Sequence, residues 1–376
     1  MKLNSIQFLR AVAALLVVYE HSMDFQISFG TSSQQNFYNL DNFGCIGVDL
    51  FFVISGFIIT YVANNYNGVD AGFQFLKKRF WRINPVYYIA SLLFLTVTLF
   101  QYELKGTMSA INSFIDTLLI IPATGNLNSF KPMLVVGWTL SFEWFFYLLF
   151  FALILGNVKR KTIYLPSIIL VLIGIGQLIQ PYDLRLQFIT NPIMLEFVLG
   201  VIICQLYLNN IKIPAWVAAA SLVAGMICYA LLIRFGFGNV WYYEYTINGK
   251  ISLHKFLIWG IPSSAIVFGC IFLEKNGYLS RLFSNRLSQL LGDASYSIYL
   301  IHIIILNILT TVYIKTNFFW QGDIMIWLQL IVTTAVAIAF YQLVEKPLLR
   351  RLKQREKPRS SKNIDTKPIK VPEATI

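Results

Sequence analysis

The chain of 376 residues is 57% hydrophobic and only 13% charged, which excludes an ordinary soluble domain and indicates a polytopic membrane protein. Its formal net charge of +12 would suit nucleic acid, but the lysines and arginines lie in short clusters between apolar runs. Such clusters fix the orientation of a membrane protein, so the bilayer is the expected partner and nucleic acid is excluded. The four cysteines show no metal-ligand spacing, and no metal site is predicted.

Ten apolar stretches are long enough to cross a bilayer as helices. We therefore predict an all-α fold with a transmembrane domain at 1–349 and a basic cytoplasmic tail at 350–376, expected to be disordered. The apolar run Ile111–Ile121 is too short to cross and is predicted to be interfacial or re-entrant. The predicted spans are Ile6–Asp24, Gly44–Asn64, Val86–Glu103, Trp138–Gly156, Ile163–Gln180, Ile189–Leu208, Pro214–Ile233, Lys255–Leu273, Leu290–Ile314 and Ile324–Leu349.

An even number of spans places both termini on the same side of the membrane. Most basic residues fall on that side, including those in the segment Lys77–Arg82 and in the region after Lys346. Positive charge between spans marks the cytoplasmic face, so both termini are predicted to be cytoplasmic.

The first predicted span carries Arg10 and, eleven residues later, His21, which places the two about 16 Å apart along a helix. In the predicted topology Arg10 lies at the cytoplasmic end, and His21 reaches the outer half together with Asp49 and Glu143. Ionisable groups at this depth usually face a cavity, so we expect one wet pocket in which His21 is a general base for a hydroxyl. The alternative is a structural ion-pair or hydrogen-bond network between helices.

The cytoplasmic segment Lys77–Pro85 holds four cations and a tryptophan. Arg79 and Arg82 are three positions apart, so in a helix they share a face and could bind phosphate. The alternative is a positive anchor at the lipid headgroups.

A further intramembrane imidazole, His302, lies in the ninth predicted span, with Tyr299 three residues earlier on the same helical face. Helix packing would explain this histidine at least as well as a role in the site.

In this order and in one polytopic chain, these segments make the sequence resemble the membrane acyltransferase-3 family, the integral-membrane O-acyltransferases that modify bacterial surface glycans. The segments that carry the resemblance are Arg10 with His21, GVDLFFVISGF at Gly47–Phe57, RFWRINP at Arg79–Pro85, WTLSFEWFFY at Trp138–Tyr147, LGDASYSIYLIH at Leu291–His302 and EKP at Glu345–Pro347.

The resemblance implies an O-acetyltransferase of the bacterial inner membrane. It implies acetyl-CoA as the cytoplasmic acyl donor and a periplasmic or lipid-linked glycan, such as exopolysaccharide or O-antigen, as the acceptor. His21 takes the catalytic position, and Arg10, Arg79 and Arg82 match basic positions proposed to hold the phosphates of CoA.

We expect direct transfer, in which His21 removes the hydroxyl proton as the oxygen attacks the thioester carbonyl. Glu143 or Asp49 would orient the imidazole. A covalent acyl-histidine or acyl-serine intermediate is the alternative mechanism. Four residues are assigned to substrate contact or packing near the site: Ser55, Ser141, Tyr299 and His302.

Two other functions use the same residues. A transporter or flippase of lipid-linked glycan would use the intramembrane histidine and carboxylates as a proton relay, and a non-catalytic assembly subunit would use them structurally. The two halves, Met1–Gln180 and Pro181–Ile376, show no convincing internal repeat, which disfavours the transporter.

Overall fold

The computed structural model describes residues 3–29, 43–101, 132, 134–236, 246–316 and 323–356, and these are helical without any strand. Ten helices in these ranges are long and apolar enough to cross a membrane, which confirms the predicted all-α, multi-pass fold. In chain order the helices are α1 Asn4–Phe29, α2 Ile46–Ala63, α3 Val69–Gln101, α4 Gly137–Leu155, α5 Lys161–Ile179, α6 Leu184–Ile189, α7 Met194–Leu208, α8 Ala215–Phe235, α9 Ser252–Lys275, α10 Ser280–Phe283, α11 Arg286–Asp293, α12 Ser295–Thr316, α13 Asp323–Phe340 and α14 Lys346–Glu356.

Helix α3 begins at Val69, well before the predicted span at Val86. The basic segment is the first half of this helix, because lysine, arginine and leucine all favour helix. Pro85 lies inside α3 without ending it. Arg79 and Arg82 therefore do share one face of a continuous helix.

Two helices are widened by π turns, which often occur at functional positions. One turn, Phe256–Gly260, lies inside α9, and the other, Tyr341–Glu345, joins α13 to α14. Each turn adjoins an ion-paired side chain. Lys255 immediately precedes the first, and Glu345 is the last residue of the second.

Helix α2 lies at the centre of the bundle and packs against α1, α4, α7 and α9. Its closest neighbour is α7, at a crossing built from two glycines. A Cβ added to Gly56 would lie 2.2 Å from the Phe197 carbonyl oxygen, and one added to Gly200 would lie 2.2 Å from that of Val53. Only residues without a side chain allow the two backbones this close.

Helix α14 continues to Glu356, past the predicted start of the tail at 350. The rest of the tail, at 357–376, and the run Ile111–Ile121 lie outside the described residues. The predictions of a disordered tail and of an interfacial segment stay predictions.

Candidate active site

A cavity with an empty volume of about 830 Å³ opens between α1, α2, α3, α4 and α12. Aliphatic and aromatic side chains of α2 form much of its wall. Its polar lining includes Arg10, Ser55, Arg79, Arg82, Glu143 and Tyr299. The three arginines predicted to bind phosphate are therefore brought together in one cavity.

Two of these arginines keep hydrogen-bond donors free. Nη1 of Arg10 and Nε of Arg79 are buried and have no hydrogen-bond partner among the described residues. Arg82 instead donates to the carboxylate of Glu345, with Nη1 and Oε1 2.7 Å apart. A buried cation without a counter-ion is costly, so this cavity is suited to an anionic ligand.

Glu143 lies on the wall of the same cavity. Its carboxylate accepts a hydrogen bond from the Ser55 hydroxyl and another from the Tyr147 hydroxyl at 3.2 Å. The prediction that Glu143 shares a pocket with His21 is wrong, since His21 does not line this cavity. Counting residues along a helix gives depth in the membrane and not the direction of a side chain, and Glu143 faces Ser55 and Tyr147 in the arginine-lined cavity.

His21 lies at a separate site formed by α1 and α12. Its Nδ1 is 3.3 Å from Oδ2 of Asp24, and its ring stacks on that of His302 with centroids 5.1 Å apart. The His21 side chain is 31% exposed. Asp24 was missed from the sequence, although its spacing of three residues from His21 places the two on one helical face.

His302 is fully buried, with Nδ1 3.1 Å from the carbonyl oxygen of Ile298. A carbonyl can only accept, so Nδ1 carries the hydrogen and Nε2 holds the lone pair. Nε2 is buried without a hydrogen-bond partner in the described part of the chain. This second imidazole is therefore a free acceptor beside His21.

Asp49 belongs to neither site. It is fully buried and pairs with Lys255 of α9, with Oδ2 and Nζ 2.8 Å apart. The prediction that Asp49 shares a pocket with His21 is wrong because depth does not determine direction. Asp49 and Ser55 are six residues apart on α2, about 120° around the helix, so Ser55 faces the cavity while Asp49 faces α9.

Tyr299 connects the arginine-lined cavity to the histidines. Its hydroxyl lies 2.8 Å from Oγ1 of Thr139 and donates to the carbonyl oxygen of Val136 at 3.1 Å. Its ring centroid is 6.0 Å from that of His302. Ser141 is buried, and neither lines the cavity nor finds a partner for its hydroxyl in the described ranges.

A family model described as an acyltransferase domain matches residues 3–343. The chain belongs to the membrane acyltransferase-3 family. The resemblance predicted from the sequence is thereby confirmed. Among the described residues no group of three or more His, Cys, Asp or Glu side chains could hold a metal ion.

Relatives of this family member include the exopolysaccharide production protein ExoZ of Rhizobium meliloti, 28% identical over 82% of this chain and 90% of the relative. The putative peptidoglycan O-acetyltransferase YrhL of Bacillus subtilis is 26% identical over 83% of this chain and 51% of its own length. The O-acetyltransferase OatA of Staphylococcus aureus is 25% identical over 82% of this chain and 53% of its own. This chain thus spans about half the length of YrhL and about half the length of OatA. No solved structure matches it.

Proposed function

We propose that this protein transfers an acyl group, expected to be acetyl, from cytoplasmic acyl-CoA to a hydroxyl group of a periplasmic or lipid-linked glycan. The family supports an acyltransferase, and the exopolysaccharide and O-acetyltransferase relatives support a glycan acceptor. The observation that carries the proposal is the cavity with unpaired arginine donors. The family match favours transfer over the transporter and the assembly subunit.

The donor would bind in the arginine-lined cavity. Guanidinium groups match phosphate oxygens with paired, charge-assisted hydrogen bonds, and Arg10 and Arg79 have donors free to make them. Arg82, already paired with Glu345, would add positive charge at the cavity wall. The phosphates of CoA would stay at the predicted cytoplasmic side, and the pantetheine arm would extend past the aliphatic wall formed by α2.

Base catalysis would take place at His21. The Asp24 carboxylate lies beside Nδ1 and would accept its hydrogen, which leaves the lone pair on Nε2. Nε2 would remove the hydroxyl proton as the glycan oxygen bonds to the thioester carbonyl carbon. The carbon–sulfur bond would then break, and the CoA thiolate would leave with the proton that Nε2 had taken, which restores the neutral imidazole. Asp24 would take the orienting role that the sequence analysis gives to Glu143 or Asp49.

A serine intermediate is supported by a different contact. Ser55 donates to Glu143 on the cavity wall, and Tyr299 separates this pair from the histidines. In this second route the Ser55 oxygen would attack the thioester carbonyl while Glu143 takes its proton and passes it to the departing thiolate. The glycan hydroxyl would then attack the serine ester and regenerate Ser55.

The test is mass spectrometry of surface glycan from cells that produce His21→Ala. We expect O-acetylation to be lost while the variant reaches the membrane at the wild-type level. His254→Ala is the matched control, because His254 is exposed and lies in neither site, and it should keep acetylation. Acetylation at the wild-type level in His21→Ala would contradict the proposal.

Cysteine labelling tests the proposed sidedness. A cysteine at position 36 should react from the periplasm, and one at position 78 from the cytoplasm. Lys78 is exposed on α3, so a reagent can reach this position. The reverse pattern would place the donor cavity at the wrong face of the membrane.

A further inference from the structure

A third polar cluster lies inside the bundle, apart from the arginine-lined cavity and the His21 site. It consists of Asp49 on α2, Glu196 on α7 and Lys255 on α9, and all three side chains are buried, the two carboxyl groups completely. Buried ionisable groups in membrane-spanning helices are rare and costly. The arrangement of this cluster therefore needs a physical explanation of its own.

The ammonium group of Lys255 contacts one carboxylate and one aromatic ring. Nζ of Lys255 lies 2.8 Å from Oδ2 of Asp49 and 4.5 Å from the ring centroid of Trp259. Glu196 is held against Asp49 by the π turn of α9. A Cβ added to Gly260 in that turn would come within 2.9 Å of Cγ of Glu196.

The carboxyl group of Glu196 lies close enough to that of Asp49 for the two to interact electrostatically, near the crossing where the backbones of α2 and α7 are in contact. Nevertheless, both oxygens of Glu196 and Oδ1 of Asp49 find no donor among the described residues. Two ionised carboxylates are acceptors only, so they cannot bond to each other and would repel. A hydrogen between them would satisfy both groups.

The charge balance leads to the same result. Two ionised carboxylates beside one ammonium group would leave a net negative charge buried in the bundle, which is strongly unfavourable. Within the described ranges, the charged groups that act on Glu196 are Asp49 and Lys255. The other titratable neighbours, Cys45 near Lys255 and Tyr229 near both carboxyls, supply no positive charge.

We propose that Asp49 and Glu196 bind one proton between them, so that two carboxyl groups, one proton and one ammonium group form a neutral site. The ligand is a proton and not a metal ion, because the Lys255 ammonium occupies the place next to Asp49 where a cation would bind. As in other closely coupled pairs, the proton belongs to both carboxyls and not to one. This site does not depend on the proposed acyl transfer.

Infrared difference spectroscopy of the purified full-length protein at neutral pH tests the proposal. Glu196→Gln should lose the carbonyl band of a protonated carboxylic acid and keep its carboxylate bands, because Asp49 then remains ionised beside Lys255. The matched control is Glu274→Gln. Glu274 accepts hydrogen bonds from the backbone N–H groups of Asn4 and Ser5 at 2.9 and 2.8 Å, so its removal should reduce the carboxylate bands instead.

A second variant keeps the test decisive if Glu196→Gln does not fold. Asp49→Asn leaves Glu196 as the only carboxylate for Lys255, so the carboxylic-acid band should disappear in this variant as well. Loss of carboxylate bands with an unchanged acid band, in whichever of the two variants folds, would overturn the proposal.

Discussion

The guanidinium of Arg82 on α3 and the carboxylate of Glu345 form an ion pair of 2.7 Å although 263 positions separate them in the chain. Glu345 is completely buried, and its other oxygen accepts a hydrogen bond from the Ser297 hydroxyl on α12. The pair joins the basic half of α3 to the π turn of the last span. It therefore holds one wall of the arginine-lined cavity in place.

Breaking this pair should destabilise the protein. Glu345→Gln leaves the partly buried Arg82 guanidinium without its counter-ion, and we expect a loss of about 1–3 kcal/mol in the free energy of unfolding. Thermal unfolding in detergent measures the change. In the double variant with Arg82→Gln the loss should be smaller than the sum of the two single losses. Additive losses would show that the two residues do not stabilise each other.

Removing a cavity arginine should weaken binding of the acyl donor. Arg79→Gln should lower the affinity for acetyl-CoA by about tenfold or more, since a hydrogen bond to a charged group contributes about 1.5–3 kcal/mol. Titration calorimetry at two salt concentrations measures the affinity for acetyl-CoA. The difference in affinity between wild type and variant should be smaller at high salt. Lys77→Gln on the same helix is the control, because Lys77 is exposed and lies outside the cavity. If both variants bind acetyl-CoA with equal affinity, Arg79 does not bind the donor and the lipid-anchor alternative is favoured.

Loss of the Asp24 carboxylate should slow catalysis without abolishing it. Asp24→Ala removes the acceptor for Nδ1 of His21, so the imidazole loses its preferred orientation. Removing a general base costs about 10²- to 10⁴-fold in rate, and we expect a smaller loss here because the base remains. The initial rate of glycan acetylation, at equal protein level, measures it. A wild-type rate would exclude Asp24 as the orienting residue.

The crossing of α2 and α7 should not tolerate a side chain. Gly56→Ala and Gly200→Ala each push a Cβ into a backbone carbonyl, and we expect a loss of about 1–3 kcal/mol from overpacking. Gly174→Ala on α5 is the matched control, because nothing lies within 4 Å of its added Cβ. Its stability should rise slightly, since alanine favours helix more than glycine. Thermal unfolding measures the stability of the three variants. Equal changes in stability in all three would contradict this packing.

Much of the fold followed from hydropathy and length, because a span needs a long apolar helix. The arginines proposed to bind phosphate could also be predicted, since Arg79 and Arg82 share a helical face and Arg10 lies near the predicted cytoplasmic end of its span. Helix α3 was predicted too short because its basic half is not apolar, although it is helical. Hydropathy detects the membrane-embedded part of a helix and not the whole helix.

The proposed catalytic cluster was harder to predict. Depth in a membrane can be counted along each helix, but the direction of a side chain depends on how that helix is rotated against its neighbours. Asp49 was therefore grouped with His21, while its partner Lys255 lies 206 positions away and no local pattern joins the two. Asp24 was within reach of sequence reasoning, because a spacing of three residues on a helix is local information.

The same separation governs the order in which the bundle can be completed. Asp49 and Glu196 are translated before Lys255, so their helices are made with acidic groups whose counter-ion has not yet been synthesised. The early segments can reach their final packing only when α9 is delivered by the insertion machinery. The packing around Asp49 and Glu196 is therefore completed only after α9 has been synthesised. In a nascent chain arrested before α9, these two acidic residues would lack the positive charge of Lys255.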